Sequence, residues 1–177
     1  MKRIILHWSA GSDSNQEDDK QHYHEIVTRS GRRVLGVHKP EANLNIRSGQ
    51  YAAHTRGLNT GSIGLAMDAM RQAVERPFDT GPEPITQVQL QAFVQMIAEY
   101  CTTYGIPVTR KTVLSHAEVQ PTLGVWQRGK WDIAWLPGML KPQDPVIVGD
   151  RIRKMVQDAI DGEHRPQPSF LTRFFLR

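Results

Sequence analysis

The run RIILHW, Arg3 to Trp8, limits the fold more than any other stretch of the chain. Ile4, Ile5 and Leu6 are consecutive and apolar. A strand wet on one face alternates apolar and polar residues, whereas an unbroken run suits a central strand buried on both faces. Such a strand requires covering layers on two sides. The run then meets His7, an imidazole that costs free energy to bury without a partner. Taken alone, a histidine in this place is ordinarily a satisfied core or loop residue.

The rest of the chain supplies partners and layers. Residues 22–29 and 32–37 read as a hairpin around Ser30-Gly31. Ile63, Leu65 and Met67 alternate as in a strand over 61–67. A helix is predicted over 86–104, with Thr86 and Gln89 as a capping box. Its apolar stripe is Leu90, Phe93, Val94, Ile97, Cys101 and Tyr104, and Gly105 with Pro107 stops it. Cys101 belongs to that stripe and reads as core. A second helix is predicted over 147–161, ended by Gly162. Residues 11–21 read as a loop or short surface helix, 38–60 as mostly irregular, and 113–138 as strand ends and loops. The expected fold is α/β: one domain with a central mixed β-sheet flanked by helices.

At 177 residues the chain fits one domain. We expect a catalytic domain over 1–162 and a separate tail over 163–177, where two prolines precede a segment rich in Phe, Leu and Arg. That tail could dock on the domain or touch an anionic envelope. The single cysteine excludes an intrachain disulfide. No signal peptide or membrane span is visible, so if the protein acts outside the cytoplasm, something else is expected to let it out. The formal charge is +4 and favours anionic partners. Nucleic-acid binding would need clustered Lys/Arg with aromatics on one face. Here charges of both signs are scattered, so no nucleic-acid partner is expected, and a monomer is.

Two of seven histidines end apolar, strand-like runs: His7 after RIIL and His116 after TVLS. Asp132 follows His116 by sixteen residues. Two imidazoles and a carboxylate, with a fourth position left for water, make a catalytic zinc arrangement. Spacing alone is weak evidence, because no local motif such as HExxH is present.

Several ordered pieces resemble the zinc-dependent N-acetylmuramoyl-L-alanine amidases of the type 2 class, whose superfamily includes the peptidoglycan recognition proteins and small phage endolysins. They are IILHWSAG, YHEIVTRSG, AAHTRGLNTGSIGLAM and LSHAEVQPTLGVWQRGKWDIAWLPG. The resemblance covers about residues 3–138. It implies Zn2+ as cofactor, with His7, His116 and Asp132 as its ligands. It implies peptidoglycan as substrate, cleaved between N-acetylmuramic acid and the L-alanine of the stem peptide. Lys130 matches a lysine that could stabilise the oxyanion, and Tyr23 a tyrosine beside the metal. His54, Arg56 and Asn59 would lie along the substrate groove, and Trp8 and Trp126 could form cleft walls. His22 and His38 read as structural or exposed, and His24 as a buried support.

Two departures stand out. Ala66 occupies a position where many relatives carry a glutamate general base, so Glu25 or Glu118 become candidates to assist proton transfer. The gap between His7 and Tyr23 is short. The resemblance thus implies an endolysin-like hydrolase made in the host bacterial cytoplasm and acting on the cell wall after release; the alternative is a peptidoglycan-binding protein without catalysis, which would typically lack one ligand of the triad.

Overall fold

The computed structural model describes residues 1–11 and 16–163. In chain order the elements are β1 (Arg3–Trp8), α1 (Gln16–His22), β2 (Glu25–Val27), β3 (Arg33–Leu35), β4 (Ser62–Met67), α2 (Gln87–Tyr104), β5 (Val113–Ser115), α3 (His116–Leu123) and α4 (Pro145–Glu163). Residues 38–60 hold two short 3-10 turns and otherwise irregular chain. No described helix is long and apolar enough to cross a membrane. The tail expected over 163–177 lies outside the described residues but for Glu163, the last residue of α4.

The five strands form one mixed sheet in the order β3-β2-β4-β1-β5. β1 is parallel to both β4 and β5, β2 is parallel to β4, and β3 pairs antiparallel with β2. The hairpin around Ser30-Gly31 is therefore present, with shorter arms than expected.

Burial on both faces of β1 follows from its neighbours. Ile4, Leu6 and Trp8 join Ile63, Leu65 and Met67 in the main core, under Phe93 and Ile97 of α2 and Val148, Ile152 and Val156 of α4. Each such side chain contributes roughly 1.5–3 kcal/mol when fully buried. Ile5 and Leu114 point to the other face and meet Val119 of α3. His7 follows Ile5 by two residues, so the pleat sends it to this second face. On β4 the alternation is between large and small residues rather than apolar and polar ones. Gly64 and Ala66 take the second face and leave it room, and all six residues of the strand are buried.

α2 starts at Thr86 with both halves of its capping box formed, and ends at Gly105 in the left-handed region (φ 62°). α4 begins two residues before the expected start and runs through Gly162 to Glu163. α3 corrects the expectation of loops after β5. Ser115 accepts a hydrogen bond from the Glu118 amide, and the Glu118 carboxylate accepts one from the Ser115 amide. That S-x-x-E box starts a two-turn helix despite Pro121.

Glu118 also fixes α3 against α4. It is fully buried, and Arg153 Nη2 donates to its Oε1 at 2.8 Å. Arg153 Nη1 donates to the Val113 carbonyl of β5 at 2.8 Å. Gly149 passes so close to this pair that an added Cβ would overlap the Glu118 carboxylate. Gly149→Ala should therefore destabilise the fold by about 2 kcal/mol or more in urea unfolding, although alanine is the better helix former by about 0.5–1 kcal/mol.

His24 staples the second face. Its Nδ1 accepts from the Gly64 amide at 2.9 Å, and its Nε2 donates to Asn43 Oδ1 at 3.1 Å. Burial pulls its pKa from 6.5 down to about 4. The unfolded chain takes up this proton near pH 6.5 and the folded one only near pH 4. His24 thus contributes stability that is complete above pH 6.5 and lost as the pH falls toward 4, about 3 kcal/mol in all. Urea unfolding of wild type between pH 7 and 4 should show at least that loss, and His24→Gln should reduce it by the share of His24, leaving that of buried His7.

A candidate metal centre at the strand ends

Two parallel strands bring the site together. Leu6 of β1 is level with Ser115 of β5, so His7 and His116 each come one residue beyond a paired position. Their rings stand 4.7 Å apart, centroid to centroid. His116 is the first residue of α3, held by the Ser115 cap and the Glu118–Arg153 pair. Asp132 arrives from the loop after α3. The next residue, Ile133, is β-branched and fully buried, yet lies at φ 67°. Such a conformation costs of order 1–3 kcal/mol and persists only where packing enforces it. Here burial of the Ile133 side chain in the main core fixes the turn that presents Asp132.

Asp132 Oδ2 lies 3.3 Å from Nδ1 of both His7 and His116. Among the described residues these three form the group able to hold a metal ion, with ligand atoms within 4.8 Å of one another, and all three are buried. Burial draws the His7 pKa down to about 4, against the raising influence of Asp132. Burial would push the Asp132 carboxyl up, but the two imidazoles outweigh it and hold it well below the usual carboxylate range. At neutral pH the site thus contains a carboxylate and an uncharged His7.

The outer partners decide which ring nitrogens carry protons. His116 Nε2 is 2.8 Å from Gln127 Oε1, an oxygen that only accepts, so Nε2 bears a hydrogen and Nδ1 is turned to Asp132. Gln127 Nε2 donates to the Arg56 carbonyl at 2.9 Å, which fixes the orientation of the amide. On the other side, His54 Nε2 faces the Ser62 carbonyl at 3.4 Å and must donate to it. His54 Nδ1 then accepts, with His7 Nε2 at 3.3 Å and Thr55 Oγ1 at 2.9 Å as donors. His7 Nδ1, like that of His116, faces Asp132 Oδ2. Two imidazole nitrogens and a carboxylate oxygen therefore converge on one point. That donor set fits a divalent cation accepting from N and O, and suits zinc.

The other residues singled out in the sequence fall into three groups. Tyr23 and Lys130 are at the centre. The Tyr23 ring is 5.1 Å from that of His7, and burial, with Asp132 and Asp19 adding to it, pushes the phenol pKa up. The hydroxyl is thus a hydrogen donor at neutral pH. Exposed Lys130 shares a cleft of about 220 Å³ with Tyr23, His54, His116 and Asp132. His54, Arg56 and Asn59 line an adjoining groove of about 390 Å³ with Trp126 and Lys130. Arg56 is exposed there. The polar atoms of its neighbours are more committed: both His54 ring nitrogens are engaged, and Asn59 Oδ1 accepts from the His54 and Thr55 amides. An added Cβ at Gly64 would overlap the His54 ring, so that glycine makes the space the ring occupies.

The third group is away from the centre. Glu25 is on the opposite face, bound to Arg33 and accepting from the Tyr100 hydroxyl of α2. Glu118 is spent on Arg153 and Ser115. Neither is placed to assist proton transfer. Ala66 is level with His7 on β4 and fully buried, so that strand offers no carboxylate. Trp8 is core, edge-on to Trp131, while Trp126 is 61% exposed at the groove with the Arg128 guanidinium over its ring. His22 is exposed and His38 half-buried. Sequence reasoning missed Gln127 and Thr55, because an amide or hydroxyl in a loop carries no motif.

Comparison with known proteins follows this geometry. No curated protein sequence matches the chain. Among solved structures, N-acetylmuramoyl-L-alanine amidase LysC from Clostridium intestinale URNW aligns over 88% of this chain and 85% of its own, at 16% identity and TM-score 0.52, which supports the fold. AmiD from E. coli, solved with anhydro-N-acetylmuramic acid-L-Ala-D-gamma-Glu-L-Lys, aligns over 66% of this chain and 48% of its own, at 18% identity and TM-score 0.48. The sequence model of the N-acetylmuramoyl-L-alanine amidase family matches residues 1–138, a span holding all five strands and the His7, His116 and Asp132 group. The chain belongs to the N-acetylmuramoyl-L-alanine amidase family.

Proposed function

We propose that this amidase hydrolyses the bond between the lactyl group of N-acetylmuramic acid and the first L-alanine of the stem peptide, using a zinc ion held by His7, His116 and Asp132. The observation that carries the reading is the convergence of two Nδ1 atoms on one carboxylate oxygen, beside an open groove. When bound, zinc would supply Lewis acidity and bring the pKa of a coordinated water from 15.7 to about 7.

The chain's own residues do the rest. The Lys130 ammonium meets the negative charge that develops on the carbonyl oxygen. Hydrolysis must also return a proton to the leaving nitrogen. The Tyr23 hydroxyl, kept protonated by burial, supplies that hydrogen or holds the group that does. Arg56 reaches into the groove and can pair with a stem-peptide carboxylate. His54 and Asn59 shape the same wall. All three ligand positions are filled by ligating residues, which favours catalysis over binding alone. The lytic, endolysin-like role belongs to the same proposal, and the positive net charge suits approach to an anionic wall.

Muropeptide digestion with mass spectrometry tests the bond: intact stem peptides should be released, and cleavage between sugars would contradict the assignment. Asp132→Ala should lose both zinc and activity, whereas unchanged zinc content in that variant would refute the ligand set. Lys130→Ala should keep its zinc and lose roughly 10²–10³ in kcat. Tyr23→Phe should also keep zinc, with a kcat loss near the lower end of about 10²–10⁴.

A further inference from the structure

Gln127 is buried in the loop between α3 and Asp132, and its side-chain amide and main-chain N–H have definite partners. Its Oε1 accepts from His116 Nε2 at 2.8 Å. Its Nε2 donates to the Arg56 carbonyl at 2.9 Å. Its main-chain amide donates to Gln120 Oε1 of α3 at 3.1 Å. One residue thereby touches a metal-ligating imidazole, the groove wall that carries Arg56, and the helix that begins with His116. The Gln127 amide has an unambiguous orientation, because the Arg56 carbonyl can only accept. Without Gln127 the nearest acceptor for this ring is Asp132 Oδ2, 3.3 Å from Nδ1, and the tautomer protonated at Nδ1 cannot ligate through that atom.

We propose that Gln127 is a positioning residue for the metal centre. It fixes His116 as the Nε2–H tautomer and ties that imidazole to the wall of the substrate groove. The inference rests on the zinc reading above, but the tautomer itself is a property of the metal-free protein. His7 has its own outer partners in His54 and Thr55, so Gln127 acts on one ligand of the two. Outer partners of this kind typically change metal affinity by 10–100-fold when removed.

Two variants of the full chain separate the roles. Gln127→Leu removes both side-chain hydrogen bonds. Gln127→Glu keeps the size and the accepting oxygen but cannot donate to the Arg56 carbonyl. Chelator competition should show zinc binding about 10–100-fold weaker in Gln127→Leu. Gln127→Glu should hold zinc as tightly as wild type while KM for muropeptide rises. Nitrogen-15 spectra of the metal-free proteins at pH 7.5 should show His116 protonated at Nε2 in wild type and Gln127→Glu, and a shift of the proton toward Nδ1 in Gln127→Leu. Should Gln127→Leu not fold, Gln127→Met, which also lacks both side-chain hydrogen bonds, takes its place in each comparison. Equal zinc affinity in wild type and Gln127→Leu would overturn the proposal, and so would equal weakening in both variants. Failure of wild type to bind zinc would instead refute the zinc reading.

Discussion

Parallel pairing of β1 with β5 is the interaction on which the site depends. With Leu6 level with Ser115, the chain delivers His7 and His116 side by side where the two strands run out. A slip of one residue along β1 would turn His7 into the main core and expose Leu6 to the second face. That register is fixed from both sides. Ile4 and Leu6 fill the core under α2 and α4, and Ile5 packs with Leu114 and Val119. The same burial that makes β1 rigid makes the site dry, which strengthens every interaction among the ligands.

Rigidity at His116 and Asp132 comes from different devices. His116 is held by a helix cap whose glutamate is paired with Arg153 from α4. A buried ion pair is a weak argument for stability. Its evident use here is to hold α3 at a fixed distance from the sheet. Asp132 is aimed by a strained turn, with buried Ile133 in the left-handed region. Space is arranged as carefully as contact: Gly64 admits the His54 ring, and Ala66 leaves β4 without a carboxylate beside His7.

Much of this was legible in the sequence, for identifiable reasons. The unbroken RIIL run required a covered central strand, and Thr86 with Gln89 marked the start of α2. The two histidines at strand ends and Asp132 pointed to the metal group. Helix α3 went unread although the Ser115–Glu118 box was present in the letters; it is only eight residues long and contains Pro121. Glu25 and Glu118 attracted attention as acids, but pleat direction and ion pairing, which a sequence does not display, place them elsewhere. Gln127 was invisible for a related reason. Its importance lies in which atoms surround it, and an amide in a loop gives no periodic or spacing signal.

The most direct test of the metal centre is X-ray absorption at the zinc edge of the loaded protein. Four light scatterers near 2.0–2.1 Å, with outer-shell features of two imidazoles, are expected for His7, His116, Asp132 and one exchangeable oxygen. A sulfur at about 2.3 Å would implicate Cys101, which is buried in α2 with its thiol pKa pushed up to about 12, and would contradict the assignment. A shell of oxygens without imidazole scattering would contradict it equally.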